Sequence, residues 1–241
     1  MKVELIKKEF DNYVKEFDNS NRDINYKYRH SYRVYKLSEQ IAKKMNLNDE
    51  DVILASIIGF LHDIGRFEQL KEFSSYSDIN LDHGEFGAKI LFEYGLIDRF
   101  KIEKKYYDII KFAIRNHNKY EVEKTRSKRK MMFAKIIRDA DKLDILRAYT
   151  IYNDYNLKTD EKNININVEK EFYGNKLVKN SYLQSKNDVI VSSLAMIFDI
   201  NDKNVLNIIK SDKLVDKFYE KLENKQILRP YFDYMNKYLK E

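Results

Sequence analysis

The 241 residues contain only four histidines, His30, His62, His83 and His117, and Asp63 follows His62 directly. Imidazole and carboxylate together make a ligand set for Mn²⁺, Fe, Co²⁺, Ni²⁺ or Zn²⁺. Singly, each residue says little, because a histidine at a helix end is usually a cap or a core filler and a lone helical Asp usually faces solvent. The joint pattern says more. His30 opens a helix read over residues 30–45, and His62–Asp63 closes the next one, read over 50–62. A short connection favours antiparallel packing. The first helix rises roughly 24 Å and the second returns about 20 Å at ~1.5 Å per residue, which brings these groups to one end. His83 likewise opens a helix read over 83–94, and His117 closes one read over 104–116. Asp141 lies about ten residues inside a fifth helix, among Ile137, Ala140, Leu143 and Ile145, where an inward carboxylate needs a partner or a metal. Asp139 and Asp144 compete with it for that role.

The elements that must position these residues are helical. Val34, Leu37, Ile41 and Met45 form one stripe. Residues 46–49 break the run and supply a cap. The helix over 50–62 is nearly all apolar and should be central, with Ile64 and Gly65 ending it and the glycine in its usual C-terminal role. Residues 67–81 are polar with clustered Ser and read as a loop. Ile110, Ala113, Ile114 and His117 share a face. The fifth helix spans 131–149. Residues 151–180 are polar and Asn-rich, and the alternation over 164–168 suggests a small hairpin or loop. From about residue 186 to 240 three more helices follow, with Pro230 near the start of the last, where its missing N–H costs little. The expected fold is all-α, one domain over 1–241 with a motif-bearing core at about 26–150 and a C-terminal extension at 151–241.

Composition excludes several alternatives. No Cys means no disulfide framework, thiolate metal site or cysteine nucleophile, and one Pro with six Gly argues against a many-turned β protein. No Gly-rich phosphate loop is present. The longest mostly apolar stretch, 52–61, is too short for a membrane span. MKVELIKKEF carries charges where a signal peptide needs its apolar stretch, so a soluble, cytoplasmic protein is expected. Lys+Arg exceed Asp+Glu by 45 to 39, and the signs interleave. That argues against a nucleic-acid partner. The local exception is the basic run 124–130, a solvated loop or an anion-attracting rim.

His30, then His62–Asp63 in FLHDIGR, then Asp141 in RDADKLDILR resemble the HD-domain superfamily of metal-dependent phosphohydrolases. His83 in DHGEFGAKIL and His117 in AIRNHNKY are similar to its two-metal subset. The resemblance spans about residues 26–150 and implies an all-α helical bundle. It implies that His30, His62, Asp63 and Asp141 bind one divalent ion (Mn, Fe, Co, Ni, Zn or Mg). His83 and His117 would bind a second, with Asp63 bridging; with a single ion they would line the phosphate pocket instead. Arg66 and, less strongly, Lys142 are the expected phosphate contacts beside Asp63, with Arg115 and Arg147 weaker. The implied activity is hydrolysis of a phosphate ester or anhydride of a small phosphorylated substrate, a nucleotide above all, by a metal-activated hydroxide. After His117 the chain reads NKYEVEKT and lacks the GYP motif of cyclic-di-GMP hydrolases. Arg66 and Phe67 stand where guanosine tetraphosphate hydrolases carry Glu-Asp. The alternative is an HD scaffold that binds nucleotide or metal without turnover.

Overall fold

The computed structural model describes residues 2–18, 20–76, 81–152, 154 and 157–240. The protein is all-α, with no strand among the described residues. It divides into two compact units, Met1–Ala140 and Asp141–Glu241.

The first unit holds α1 (Val3–Val14), α2 (Arg22–Lys44), α3 (Asp49–Leu61), α4 (Ile64–Phe73), α5 (His83–Phe92), two 3₁₀ turns (Leu96–Phe100 and Lys104–Tyr106), α6 (Tyr107–Asn116) and the start of α7 (Lys128–Thr150). α1 buries Ile6, Phe10, Tyr13 and Val14, a helical i, i+4, i+7, i+8 spacing. Phe10 packs on Phe60 with ring centroids 4.3 Å apart and on Phe67 at 5.8 Å. α2 starts eight residues earlier than its apolar stripe suggested. Asn21 caps it, its side chain accepting from the N–H groups of Asp23 and Ile24. The stripe of Val34, Leu37 and Ile41 is buried, but Met45 is the C-cap and exposed. Asn48 caps α3 through the N–H of Asp51, and every α3 residue from Leu54 to Leu61 is buried, so this helix is central as expected.

Two readings of the sequence are corrected here. Residues 64–73 form α4, which buries Ile64, Gly65, Phe67, Gln69 and Leu70; the loop begins only at Ser74, and its residues 77–80 lie outside the described ones. The polar character of the segment hid a helix whose apolar Ile64, Phe67 and Leu70 face inward, while Phe73 at its end is exposed. Gly65 therefore does not end a helix. It permits a close approach: a Cβ there would lie 2.5 Å from the His83 carbonyl oxygen and 2.7 Å from the Gly87 nitrogen. α4 and α5 nearly touch backbone to backbone, which carries His83 against the start of α4. The basic run is also partly helical. Arg129 is held by Asp51, and Lys130 lies 2.6 Å from Asp108, so these two cations brace the helices and form no open rim.

α7 is unbroken from Lys128 to Thr150, and the second unit begins within it. That unit continues with α8 (Ile166–Tyr173), α9 (Lys186–Ala195), α10 (Lys203–Ser211), α11 (Leu214–Lys221) and α12 (Arg229–Tyr238). The alternating stretch at 164–168 opens α8 and forms no hairpin, because Asn165 caps a helix whose buried Val168 and Phe172 are one turn apart. Four α-helices follow where three were expected. Pro230 occupies the first turn of α12. Asn187, 1% exposed, pins the preceding loop by donating to the carbonyls of Asp160 (2.9 Å) and Lys162 (2.8 Å).

Gly65→Ala should lower unfolding stability by about 1–3 kcal/mol, because the obstructing atoms are backbone and cannot rotate away. Urea titration checks this. The loss at Gly87→Ala, where the nearest atom is 3.3 Å away, should be smaller.

Candidate metal centre

Each ligand candidate owes its position to a helix boundary or a helix face. His62 is the C-cap of α3 and Asp63 the N-cap of α4, so a two-residue corner turns both side chains inward. His83 is the first residue of α5, with Asp82 capping that helix through the N–H groups of Gly84 and Glu85, each at 3.0 Å. His117 is the C-cap of α6. His30 does not open its helix; it lies within α2, level with the end of α3 because α2 overhangs that end. All four imidazoles and Asp63 are buried, none more than 4% exposed.

The carboxylate of Asp63 divides the histidines into two pairs. Its Oδ2 lies 3.5 Å from His30 Nε2 and 3.4 Å from His62 Nε2. Its Oδ1 lies 3.4 Å from His83 Nε2 and 3.6 Å from His117 Nε2. Within the pairs, the facing Nε2 atoms are 3.2 Å apart for His30 and His62 and 2.9 Å apart for His83 and His117. His62 Nδ1–H donates to the Gly59 carbonyl at 2.8 Å, and His117 Nδ1–H to that of Ile114 at 2.7 Å. Those bonds set the tautomer and leave both Nε2 atoms as lone-pair donors aimed at the centre. Two facing lone pairs repel, so each pair calls for a proton or a cation between its rings. The separations suit a metal: ligand atoms on bonds of about 2.1 Å are about 3.0 Å apart at an octahedral edge and about 3.4 Å at a tetrahedral one.

Asp141, on α7, is the carboxylate expected from the sequence. It offers a carboxylate oxygen that, with ring nitrogens of His62 and His117, forms a group lying within 4.8 Å of one another. The sequence left Asp139 and Asp144 as competitors. Both are buried more deeply than Asp141, yet neither enters a metal-compatible group among the described residues.

Sequence reasoning missed Lys27. It stands one helical turn before His30 on α2, is 8% exposed, and its Nζ lies 2.6 Å from Asp63 Oδ2. Burial pushes the Asp63 carboxyl up, but the Lys27 ammonium, His62 and His117 outweigh that and hold it well below the usual carboxylate range. The signal available was weak, a lysine at i−3 from a histidine. Arg66 lies beside Asp63: Nε is 3.9 Å from Oδ1, and Nη1 donates to Gln69 Oε1 (2.5 Å) and the Tyr76 carbonyl (2.8 Å). Lys142 is buried with its ammonium 3.0 Å from Asp199, Arg147 pairs with Asp212, and Arg115 pairs with Glu85 and Glu123 at the surface.

An outer layer fixes the ligands. Asn118 Nδ2 donates to Asp82 at 2.9 Å and sits 3.3 Å from His83 Nδ1. Lys119 Nζ is 2.6 Å from Asp82. Arg138, 1% exposed, donates through one nitrogen to the carbonyls of Asn116 (2.8 Å), His117 (3.2 Å) and Lys119 (2.6 Å). It thereby clamps the turn that presents His117, as partners behind metal ligands commonly do. Arg138→Met should cost about 3 kcal/mol or more, since it leaves buried carbonyls without their donor. Urea unfolding measures the loss, and titration with Mn²⁺ should show weakened binding.

Residues 28–146 match the family model of the HD domain, a span containing all four histidines, Asp63 and Asp141. No curated protein and no solved structure matches the chain. The matched span contains the paired histidines around Asp63, and the chain carries an HD domain over these residues.

Proposed function

We propose that this protein is a metal-dependent phosphohydrolase that cleaves a phosphate ester or anhydride of a small molecule, a nucleotide being the favoured substrate class. One observation carries the reading: a single buried carboxylate presents each oxygen to its own pair of imidazole nitrogens. That arrangement suits two divalent ions sharing Asp63. His30 and His62 would serve one ion, His83 and His117 the other, with Asp141 as the further carboxylate beside His62 and His117. Ions held there would lower the pKa of water toward neutrality and offset charge on phosphoryl oxygens.

The chain's own groups supply the rest. Asp63 is kept ionised, as a shared ligand must be. Arg66 stands beside it with a planar, permanently charged fork suited to phosphoryl oxygens. Its guanidinium lies over the Tyr76 ring at 5.7 Å, so cation and aromatic face arrive together. Lys142, committed to Asp199, is a weaker candidate for phosphate than Arg66. Burial of the ligands excludes bulk water, which strengthens every electrostatic interaction made there.

Protein purified without chelator should contain transition metal near two ions per chain by elemental analysis. It should hydrolyse an aryl phosphate or nucleotide in the presence of Mn²⁺, Co²⁺, Ni²⁺ or Mg²⁺. His62→Ala and Asp63→Ala should lose both metal and activity. Arg66→Ala should keep its metal and lose about 10²-fold in kcat/KM, the scale of one electrostatic contact to a transition state. Stoichiometric metal without turnover of any phosphate tested would replace this reading with a non-catalytic sensor. Absence of metal would remove both.

A further inference from the structure

The two halves of the centre are not equivalent, and Lys27 makes the difference. Its ammonium is bonded at 2.6 Å to Oδ2, the Asp63 oxygen that faces His30 and His62. Oδ1, which faces His83 and His117, has no lysine on it among the described ion pairs; its cationic neighbour is Arg66 at 3.9 Å, beyond hydrogen-bond reach. Lys27 and His30 are three residues apart on α2, so they project from the same face and converge on the same oxygen. The ammonium also has a second resting place close by, since the rings of Tyr26 and Tyr76 lie 5.6 and 5.4 Å from it. Lys27 stands one residue before the span matched by the HD-domain model, so nothing in that match assigns it a role.

We propose that Lys27 is a built-in competing cation. It occupies the Asp63 oxygen on the His30/His62 side, so the protein takes up its two divalent ions unequally. The His83/His117 side binds first and tightly. An ion entering on the His30/His62 side must displace the Lys27 ammonium, which moves toward the two tyrosine rings. There it stands beside Arg66, whose guanidinium shares the Tyr76 ring, and the two cations then face an incoming anion together. The inference rests on the metal-centre reading and adds an order of loading and a residue that regulates it.

Isothermal titration of chelator-treated protein with Mn²⁺ tests it. The wild type should show two events of unequal affinity. Lys27→Gln, which removes the ammonium, should tighten the weaker event by on the order of ten- to a hundred-fold, the range for a charged hydrogen bond no longer broken on binding, and leave the tighter one in place. Lys27→Arg, which keeps a cation on Oδ2, should behave like the wild type. In His83→Gln, which cripples the other half, the remaining event should be the one that Lys27→Gln tightens. A thermal melt gives a second readout: Lys27→Gln without metal should melt below the wild type and gain more from Mn²⁺ than the wild type does. If Lys27→Gln changes neither event, or tightens both equally as simple charge repulsion would, the inference fails and the metal centre stands. If the wild type binds no stoichiometric Mn²⁺, the metal centre fails and takes the inference with it.

Discussion

A buried carboxylate that stays ionised is the constraint around which the first unit is organised. Asp63 is 2% exposed, and a charge so placed must be surrounded by compensating groups. Four imidazoles, one ammonium and one guanidinium meet that demand, contributed by four separate stretches of chain. The carboxylate is therefore satisfied only when α2, the α3–α4 corner, α5 and α6 are all in place, so the same packing that closes the core also assembles the site.

Three local devices give this packing its precision. At Gly65 the backbones of α4 and α5 come within a distance that no side chain could share, which fixes His83 relative to Asp63. Carbonyls in the last turns of α3 and α6 accept the Nδ1 protons of His62 and His117. Helix termini normally leave such acceptors to water or caps; here they orient the rings and choose the tautomer. Arg138 ties the carbonyls of Asn116, His117 and Lys119 at the end of α6 to α7, so the turn holding His117 is braced from behind. All three devices set where the ligand candidates point.

Net charge plays a smaller part than the composition suggests. The excess of six positive charges is spread along a chain in which basic and acidic residues interleave. Two of the three basic-run cations on α7, Arg129 and Lys130, are absorbed by Asp51 and Asp108, and Arg99 by Glu9 and Glu16. The cations beside Asp63 are Lys27, which is buried, and Arg66, which is largely withdrawn from solvent, and there low dielectric makes a single charge count for more than a surface cluster.

The sequence by itself determined the helical class, the central apolar helix, the cap within residues 46–49 and the five histidine and aspartate positions from His30 to His117. These depend on local rules: apolar periodicity, cap chemistry at Asn48, and the rarity of histidine in a chain with four. It did not reveal α4 as a helix, because Phe67 and Leu70 are too few to make a visible stripe, nor α8, because Ile164 to Val168 satisfies period two as well as the start of a capped helix. Gly65 was misread because a glycine tolerating a close approach and a glycine ending a helix look alike in one dimension. Only the tertiary structure decided that Asp63 faces one imidazole pair with each oxygen, that Asp141 and not Asp139 or Asp144 offers the further carboxylate, and that Lys27 enters the centre at all. Those facts depend on distances between side chains far apart in the chain, and no periodicity along a single helix encodes which of its inward groups will meet a partner.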